Sequence, residues 1–345
     1  MLYRLGPDWP GTAAQLEEAL AQEPFVECGA TQQKSSGWIP PRGHEHGALV
    51  ESVAGQWIAR LAIETRAVPG DAVRRKTQET IDEIERTTGR KPGKKEARDI
   101  RDDVLLALLP QAFPRRGQVT MWIDPENRWL VLDASAQGKA DEVISSLSRV
   151  AGQGFTVSLL QTRLSPQAAM SAWLAAESAE ELPEAFDVER ECELKGSGEE
   201  PAVVKFTRHN LATDEVRQHI REGKLPTRLA LGWQGRVGFT LTQTLQLKKI
   251  AFQEGVFEEG APDKDDDRFD ADVALSTGEL GALIPDLIEA LGGEAEPGDL
   301  QVNAPAVPAV PFGQIAHAVP PAATVPAAAQ QGEPVVVADD DDPPF

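Results

Sequence analysis

The largest group of potential metal ligands is a run of six aspartates between residues 263 and 272. Carboxylate oxygens are the ligands that Mg²⁺ and Ca²⁺ prefer. The run departs from the EF-hand calcium pattern, because Arg268 replaces the turn glycine and Ala274 replaces the bidentate glutamate. A nuclease needs its carboxylates fixed on strands, and only Asp270 and Asp272 lie near a predicted strand, residues 272–276. A solvated loop is the favoured interpretation, and a metal-dependent nuclease is the alternative.

Other catalytic patterns are absent from the sequence. It contains no phosphate-binding G-x-x-x-x-G-K-[ST], no dinucleotide-binding G-x-G-x-x-G, no H-E-x-x-H and no G-x-S-x-G. His44-Glu45-His46 offers only two imidazoles, and a metal site needs more ligands in ordered spacing. Cys28 and Cys192 are too few for a disulfide framework or a four-cysteine zinc site. We therefore predict a protein that is not an enzyme and that needs no metal or cofactor.

Positive charge is segregated within an acidic chain. The net charge is −21, from 34 Lys+Arg against 55 Asp+Glu. Residues 201–250 nevertheless carry nine basic and three acidic residues, and residues 71–116 carry twelve basic and nine acidic residues. Residues 251–300 carry fifteen acidic and two basic residues. Because binding follows the local field, which salt screens over about 8–10 Å, these basic regions can bind an anion despite the negative total.

The aromatic residues favour a duplex over a single strand as that anion. Proteins that bind single strands stack the bases on aromatic side chains. Trp57, Trp122, Trp129 and Trp233 all lie within predicted strands, where packing in the core is the default. Basic residues without an aromatic face fit contact with the phosphate backbone of duplex DNA better.

The first basic region is predicted to be a helical hairpin over residues 71–109. Asp71 can cap the first helix, and Pro92 and Gly93 suit the connection. Apolar residues recur at helical spacing on both sides of that connection. The tip and the next turn therefore carry a cluster of exposed cations: Arg90, Lys91, Lys94, Lys95, Arg98 and Arg101.

The other strands and helices are predicted from the spacing of apolar residues, which alternate with polar ones in strands and recur every three or four positions in helices. We predict a helix at residues 12–21, an edge segment at 37–41, and strands at 57–65, 119–124 and 128–133. Further strands are predicted at 229–233, 235–242 and 247–252, followed after residue 276 by an amphipathic helix to Leu291. The fold class is α+β with mostly antiparallel sheets.

The chain of 345 residues allows two or three domains. We divide it into a central α+β region of residues 1–70 with 118–165, the hairpin of 71–117, and a second α+β region of 166–296. Residues 297–345 are predicted to be a disordered Pro/Ala-rich tail. No signal peptide or run of about 18 apolar residues is found, so we expect a cytoplasmic protein with no membrane partner.

Five segments, in one order, resemble the recombination-associated protein RdgC family of bacteria. They include the motifs Gly-Trp-Ile-Pro-Pro, Met-Trp-Ile-Asp and Arg-Phe-Asp-Ala-Asp, and with their flanks they cover most of residues 1–296: residues 37–41, 103–113, 121–124, 227–233 and 268–295. The resemblance implies horseshoe-shaped subunits that form a ring-shaped homodimer around duplex DNA with little sequence preference. It also implies a nucleoid-associated protein that restrains the recombinase RecA in recombination and replication-fork repair.

The resemblance also assigns roles to residues. Lys224 matches a basic position linked to DNA contact. We predict that Arg228 and Arg236 of the same basic segment also contact DNA, as do five cations of the hairpin: Arg90, Lys91, Lys94, Lys95 and Arg98. The loop with Arg115 and Arg116 and the segment with Arg208 and His209 match the two sides of a gate between subunits. Some relatives carry an aromatic residue at the position of Arg116.

The end of the tail resembles a different group, the acidic tips of single-stranded DNA-binding proteins. Four aspartates precede a terminal Pro-Pro-Phe, and such a tip can fit an apolar pocket with a basic rim. We predict that proteins which read such tips bind these residues: Asp339, Asp340, Asp341, Asp342, Pro344 and Phe345. A solubilising acidic tail is the alternative.

Overall fold

Two antiparallel sheets form the framework of the computed structural model, which describes residues 1–9, 11–198, 201–253 and 265–295. The first sheet has seven strands in the order β2-β4-β5-β6-β1-β7, with β3 also paired to β4. Its strands are β1 (Leu2–Leu5), β2 (Lys34–Ile39), β3 (Val50–Val53), β4 (Gln56–Arg66), β5 (Pro114–Asp124), β6 (Trp129–Leu132) and β7 (Val157–Leu159).

The second sheet has five strands in the order β12-β11-β10-β8-β9. Its strands are β8 (Phe186–Lys195), β9 (Val203–Thr207), β10 (Leu225–Trp233), β11 (Val237–Thr242) and β12 (Leu247–Phe252). The helices of the described residues are α1 (Ala13–Leu20), α2 (Gly70–Thr88), α3 (Lys94–Leu108), α4 (Gln137–Val150), α5 (Pro166–Ala175), α6 (Asp214–Arg221) and α7 (Asp265–Ala290). The predicted α+β class with antiparallel sheets is confirmed.

One face of the first sheet packs on α1 and α4. Alternate residues of the long β4–β5 pair are fully buried there, including Leu61, Val119 and Met121, together with Leu147 of α4. The period of two along each strand places these side chains on one face. The opposite face carries Ile58 and Trp122, which join the core of the second sheet.

The second sheet packs mainly on α5 and α7. Leu283, Ile284, Leu287 and Leu291 recur at helical spacing and are buried in the same cluster as strand residues of β10 and β11. The indole of Trp233 donates to the Asp286 carboxylate at 2.8 Å. The amphipathic helix predicted from this spacing is therefore confirmed.

The helical hairpin is confirmed, and it connects β4 to β5. The residue that precedes α2 is Pro69 rather than the predicted Asp71, which instead lies in the first helical turn. Helix α2 is followed by Gly89, whose φ of +68° is the left-handed conformation that favours glycine at a helix end. Because burial is confined to a few residues near the base, such as Val73 and Val104, the tip is exposed.

The strand predicted for residues 272–276 is wrong, because α7 already begins at Asp265. Phe269 and Val273 lie four apart and both pack on the core with Leu280, so the helical stripe extends further towards the N-terminus than predicted. Within the described ranges, no helix combines the length and the apolar composition that crossing a membrane requires.

Candidate nucleic-acid interface

The hairpin tip presents three lysines without a counter-ion. Lys91, Lys94 and Lys95 are exposed, and none makes a hydrogen bond or ion pair with the described part of the chain. The nearest acidic side chain in sequence, Glu96, is engaged by Arg90, whose guanidinium lies 3.0 Å from it. Arg90 therefore has less free charge than the sequence indicates, while the three lysines are available to a phosphate.

Three of the four cations on α2 are neutralised by carboxylates of the same helix. Arg74 pairs with Asp71, Arg86 with Glu83, and Lys76 with Glu79 at 3.1 Å. Each pair joins residues three apart on the exposed surface of α2. Arg75, Arg98 and Arg101 are exposed and make no ion pair with the described residues. Uncompensated charge on the hairpin is thus richest at the tip and on the adjoining turn of α3.

Lys224 is held by two neighbours instead of facing solvent. Its ammonium donates to Glu222 at 2.8 Å and contacts Nδ1 of His219 at 3.0 Å, and only 17% of its side chain is exposed. The hydrogen bond from Lys224 lowers the pKa of Glu222 to about 2, and a second bond from Gln218 adds to the effect. The predicted DNA contact is therefore neutralised in this arrangement.

Arg228 and Arg236 differ although both are exposed. Arg228 on β10 makes no hydrogen bond or ion pair with described residues. Arg236 lies in the turn before β11 and donates through Nε to Glu279 of α7 at 2.8 Å, with a second bond to the same carboxylate. Those bonds lower the pKa of Glu279, which is only 9% exposed. Arg236 therefore anchors α7 to the second sheet, while Arg228 has the freer charge.

The predicted gate-side loop exposes an aromatic residue at the start of β5. Phe113 is 89% exposed, and Arg115 beside it is also exposed. Arg116 instead stacks its guanidinium 4.0 Å from the ring centroid of Phe25. Single exposed apolar residues are common on protein surfaces, so the exposure of Phe113 does not by itself mark a contact surface.

The opposing gate segment lies directly after β9. Arg208 is exposed and has a φ of +55°, an uncommon conformation for a residue other than glycine. The ring of His209 lies 5.3 Å from that of Phe206, and its backbone N–H donates to the Arg190 carbonyl at 3.1 Å. These contacts fix the turn and leave the Arg208 side chain pointing to solvent.

The aspartate run is only partly described. Asp263 lies outside the described residues, and so does the predicted partner-binding tip at 339–345. Asp270 accepts a hydrogen bond from Arg42 at 2.6 Å, and Asp272 lines a cavity of about 730 Å³ with mostly apolar walls. Across the described ranges, no three histidine, cysteine, aspartate or glutamate residues lie together as a metal site would require. The nuclease alternative gains no support there.

Sequence reasoning missed the residues that neutralise the predicted DNA contacts. Glu222 precedes Lys224 by two positions, so the charge pattern alone could have indicated that pair. Glu279 is 43 positions from Arg236, and nothing in the local sequence joins them. His219 received no role, although its place at the end of α6 puts it beside Lys224.

The chain is similar to a family model and to several bacterial proteins that share one name. Residues 1–294 match a family model described as “Putative exonuclease, RdgC”. A protein of Dechloromonas aromatica (strain RCB) is 41% identical over 298 residues, covering 85% of this chain and 96% of the relative. Proteins of Herminiimonas arsenicoxydans and Bordetella parapertussis are 40% and 39% identical over 295 residues. They cover 85% of this chain and 96% and 97% of those relatives. All three are named “Recombination-associated protein RdgC”.

Proposed function

The chain belongs to the RdgC family, and from this premise we propose that it binds duplex DNA through the phosphate backbone, without sequence preference. The observation that carries the proposal is the hairpin tip, where three exposed lysines have no counter-ion among the described residues. Lysine ammonium groups act as point charges towards phosphate oxygens, and phosphate contacts carry no sequence information, so this proposal expects binding without sequence preference.

Two copies of the chain, in this proposal, enclose the duplex as a ring and thereby restrain RecA in recombination and replication-fork repair. An exposed Phe113 beside Arg115 gives each subunit an apolar contact point at the predicted gate. The net charge of −21 also supports the proposed ring. Acidic residues on the outside of the ring would repel DNA, while the basic residues would attract it to the central channel.

The proposed DNA binding is tested by a salt titration. Fluorescence anisotropy of a labelled duplex is measured from about 50 to 300 mM salt with two unrelated sequences. Each phosphate contact contributes about −0.9 to the slope of log K against log salt. Because several lysines and arginines are available, we expect a slope steeper than roughly −3 for both duplexes. A flat response, or strong preference for one duplex, would contradict the proposal.

The proposed self-association is tested at Phe113. Phe113→Asp places a charge in the predicted subunit contact and should shift the protein towards smaller species in analytical ultracentrifugation. Leu159→Asp, which changes another exposed apolar residue, serves as the matched control. Equal sedimentation of the Phe113 variant and the unaltered protein would remove Phe113 from the interface.

An exonuclease is the alternative that the family description names. Incubation of an end-labelled duplex with the protein and Mg²⁺ separates the two functions, since an exonuclease shortens the strand and a binding protein only retards it. We expect an intact strand. Shortening that Asp270→Asn and Asp272→Asn abolish would assign the cleavage to the aspartate run.

We propose that the acidic tip is a second binding element. Phe345 supplies an apolar anchor and the four aspartates steer it towards a basic rim. Phe345→Ala should leave DNA affinity unchanged and abolish binding of proteins that read single-stranded DNA-binding protein tips. If deletion of residues 333–345 changes neither DNA affinity nor any partner, the tail is a solubilising appendage.

A further inference from the structure

Lys224 lies in a turn that fixes it against the end of α6. The helix ends in a Schellman motif, in which the N–H of Lys224 donates to the His219 carbonyl at 3.0 Å. The N–H of Gly223 donates to the Ile220 carbonyl at 2.9 Å, and Gly223 has the required positive φ of +83°. The backbone therefore holds residue 224 over residue 219, and the contact between their side chains follows from the turn.

The three polar side chains of this turn share one set of hydrogen bonds. Nδ1 of His219 lies 3.0 Å from the Lys224 ammonium and 3.6 Å from the Glu222 carboxylate. An ammonium has donors only, so Nδ1 must be unprotonated to accept from it. A protonated His219 cannot accept that bond, and it places a second positive charge beside Lys224.

Glu222 can then change partners. Its carboxylate already lies close to both cations, so a protonated His219 competes with Lys224 for it. Lys224 loses the His219 bond outright and shares the Glu222 carboxylate. We infer that His219 and Glu222 are positioning residues for Lys224: protonation of His219 frees Lys224 for a DNA phosphate, so that duplex affinity rises as the pH falls. This inference rests on the proposed DNA binding.

Few other charges face His219. The ring of Phe206 on β9 lies 6.0 Å from that of His219 and 5.3 Å from that of His209. Nε2 of His209 lies 4.0 Å from the Glu215 carboxylate. Lys205 of β9 pairs with Glu193 at 3.1 Å. Helix α5, which packs on α6, contains no ionisable side chain. The remaining charged residues of α6 are Asp214 and Glu215 in its first turn, Arg217, which donates to the Ala176 carbonyl, and Arg221, which donates to Gln218.

The experiment compares salt slopes at two pH values. Duplex binding is measured at about pH 8 and about pH 5.5, a range in which histidine side chains change charge. In the unaltered protein one added phosphate contact should steepen the slope by about 0.9 and raise affinity on the order of fivefold at low pH. His219→Gln cannot titrate, so its slope should be the same at both pH values. Lys224→Ala should also lose the change, because the released cation is missing.

Two controls separate this mechanism from a general effect of pH or charge. His46→Gln alters an exposed histidine elsewhere and should keep the full change in slope. Glu222→Gln releases Lys224 without acid and should raise affinity at about pH 8, whereas Glu215→Gln removes the same charge from α6 and should raise it less. The inference is overturned if His219→Gln keeps the pH-dependent slope, or if the unaltered protein has none. Absence of salt-dependent duplex binding at both pH values would instead overturn the proposed function itself.

Discussion

The hairpin tip and the region around β10 of the second sheet both carry cations assigned to DNA, and they hold them differently. Lys91, Lys94 and Lys95 have no partner within the described part of the molecule. In the other region Lys224 is held by Glu222, and Arg236 by Glu279. Availability of a cation for phosphate therefore depends on the carboxylates that the fold brings beside it, more than on the count of basic residues.

The largest loss of duplex affinity is expected when the positive charge of the hairpin tip is removed. Changing Lys91, Lys94 and Lys95 together to glutamine removes three free charges, and we expect duplex affinity to fall on the order of 100-fold at about 0.15 M salt. The salt slope should become shallower by about 2.7, because each lost contact contributes about 0.9.

The matched control removes the same charge from cations of α2 that are already paired. Arg74, Lys76 and Arg86 are all paired with carboxylates three residues away. Their triple glutamine variant should weaken binding far less than the tip variant. Equal losses in the two variants would show that net charge, and not the free tip, governs binding.

Arg228 and Arg236 allow a free and a paired arginine to be compared within the region around β10. Arg228 lies opposite Glu193 of β8 but makes no hydrogen bond or ion pair with the described residues. Arg228→Gln should therefore lower duplex affinity roughly fivefold, the effect of about one phosphate contact. Arg236→Gln removes a cation already bound to Glu279, so DNA affinity should change little. Anisotropy measurements on both variants decide the point, and a larger loss for Arg236→Gln would reverse the assignment.

The Arg236–Glu279 pair should instead appear in the dependence of stability on pH. Because Arg236 lowers the pKa of Glu279 in the folded state, the pair contributes stability above the ordinary glutamate pKa of about 4.3. That contribution is lost as the pH falls through the lowered value. Urea denaturation between about pH 7 and pH 3 should therefore show a weaker loss of stability with acid for Glu279→Gln than for the unaltered protein. Parallel pH profiles would contradict the prediction.

The smallest expected effect concerns the geometry of the tip. Gly89→Ala forces a side chain into the left-handed conformation at φ +68° and should cost about 1 kcal/mol, measured by hydrogen exchange of the hairpin amides. Gly93→Ala is the matched control, because Gly93 has an ordinary φ of −71° and no atom within 4 Å of an added Cβ. Similar exchange in both variants would show that Gly89 does not limit the hairpin.

Local patterns were sufficient to predict the hairpin and six of the twelve described strands. Pro92 and Gly93 mark the connection of the hairpin, and alternation marks β4, β5 and β10. Strand β8 was missed although Val188, Cys192 and Leu194 lie on its inward face, because the charged residues between them resemble a solvated acidic run. The extension of α7 to Asp265 was missed for the same reason.

The site was less predictable than the fold. Which lysines are exposed follows from a hairpin whose apolar residues end before its tip, and that pattern can be read from the sequence. Whether Arg236 is free depends on α7 packing beside the second sheet, a contact between distant segments. Long-range ion pairs leave no local signal, so they require the three-dimensional structure.

The central claim, that the hairpin tip contacts the DNA backbone, is tested most directly by lysine footprinting. The protein is acetylated with and without each of two unrelated duplexes, and modified peptides are quantified by mass spectrometry. We expect either duplex to protect Lys91, Lys94 and Lys95 equally, while Lys76, paired with Glu79, is labelled to the same extent throughout. Unchanged labelling of the three tip lysines on saturation with DNA would contradict the account.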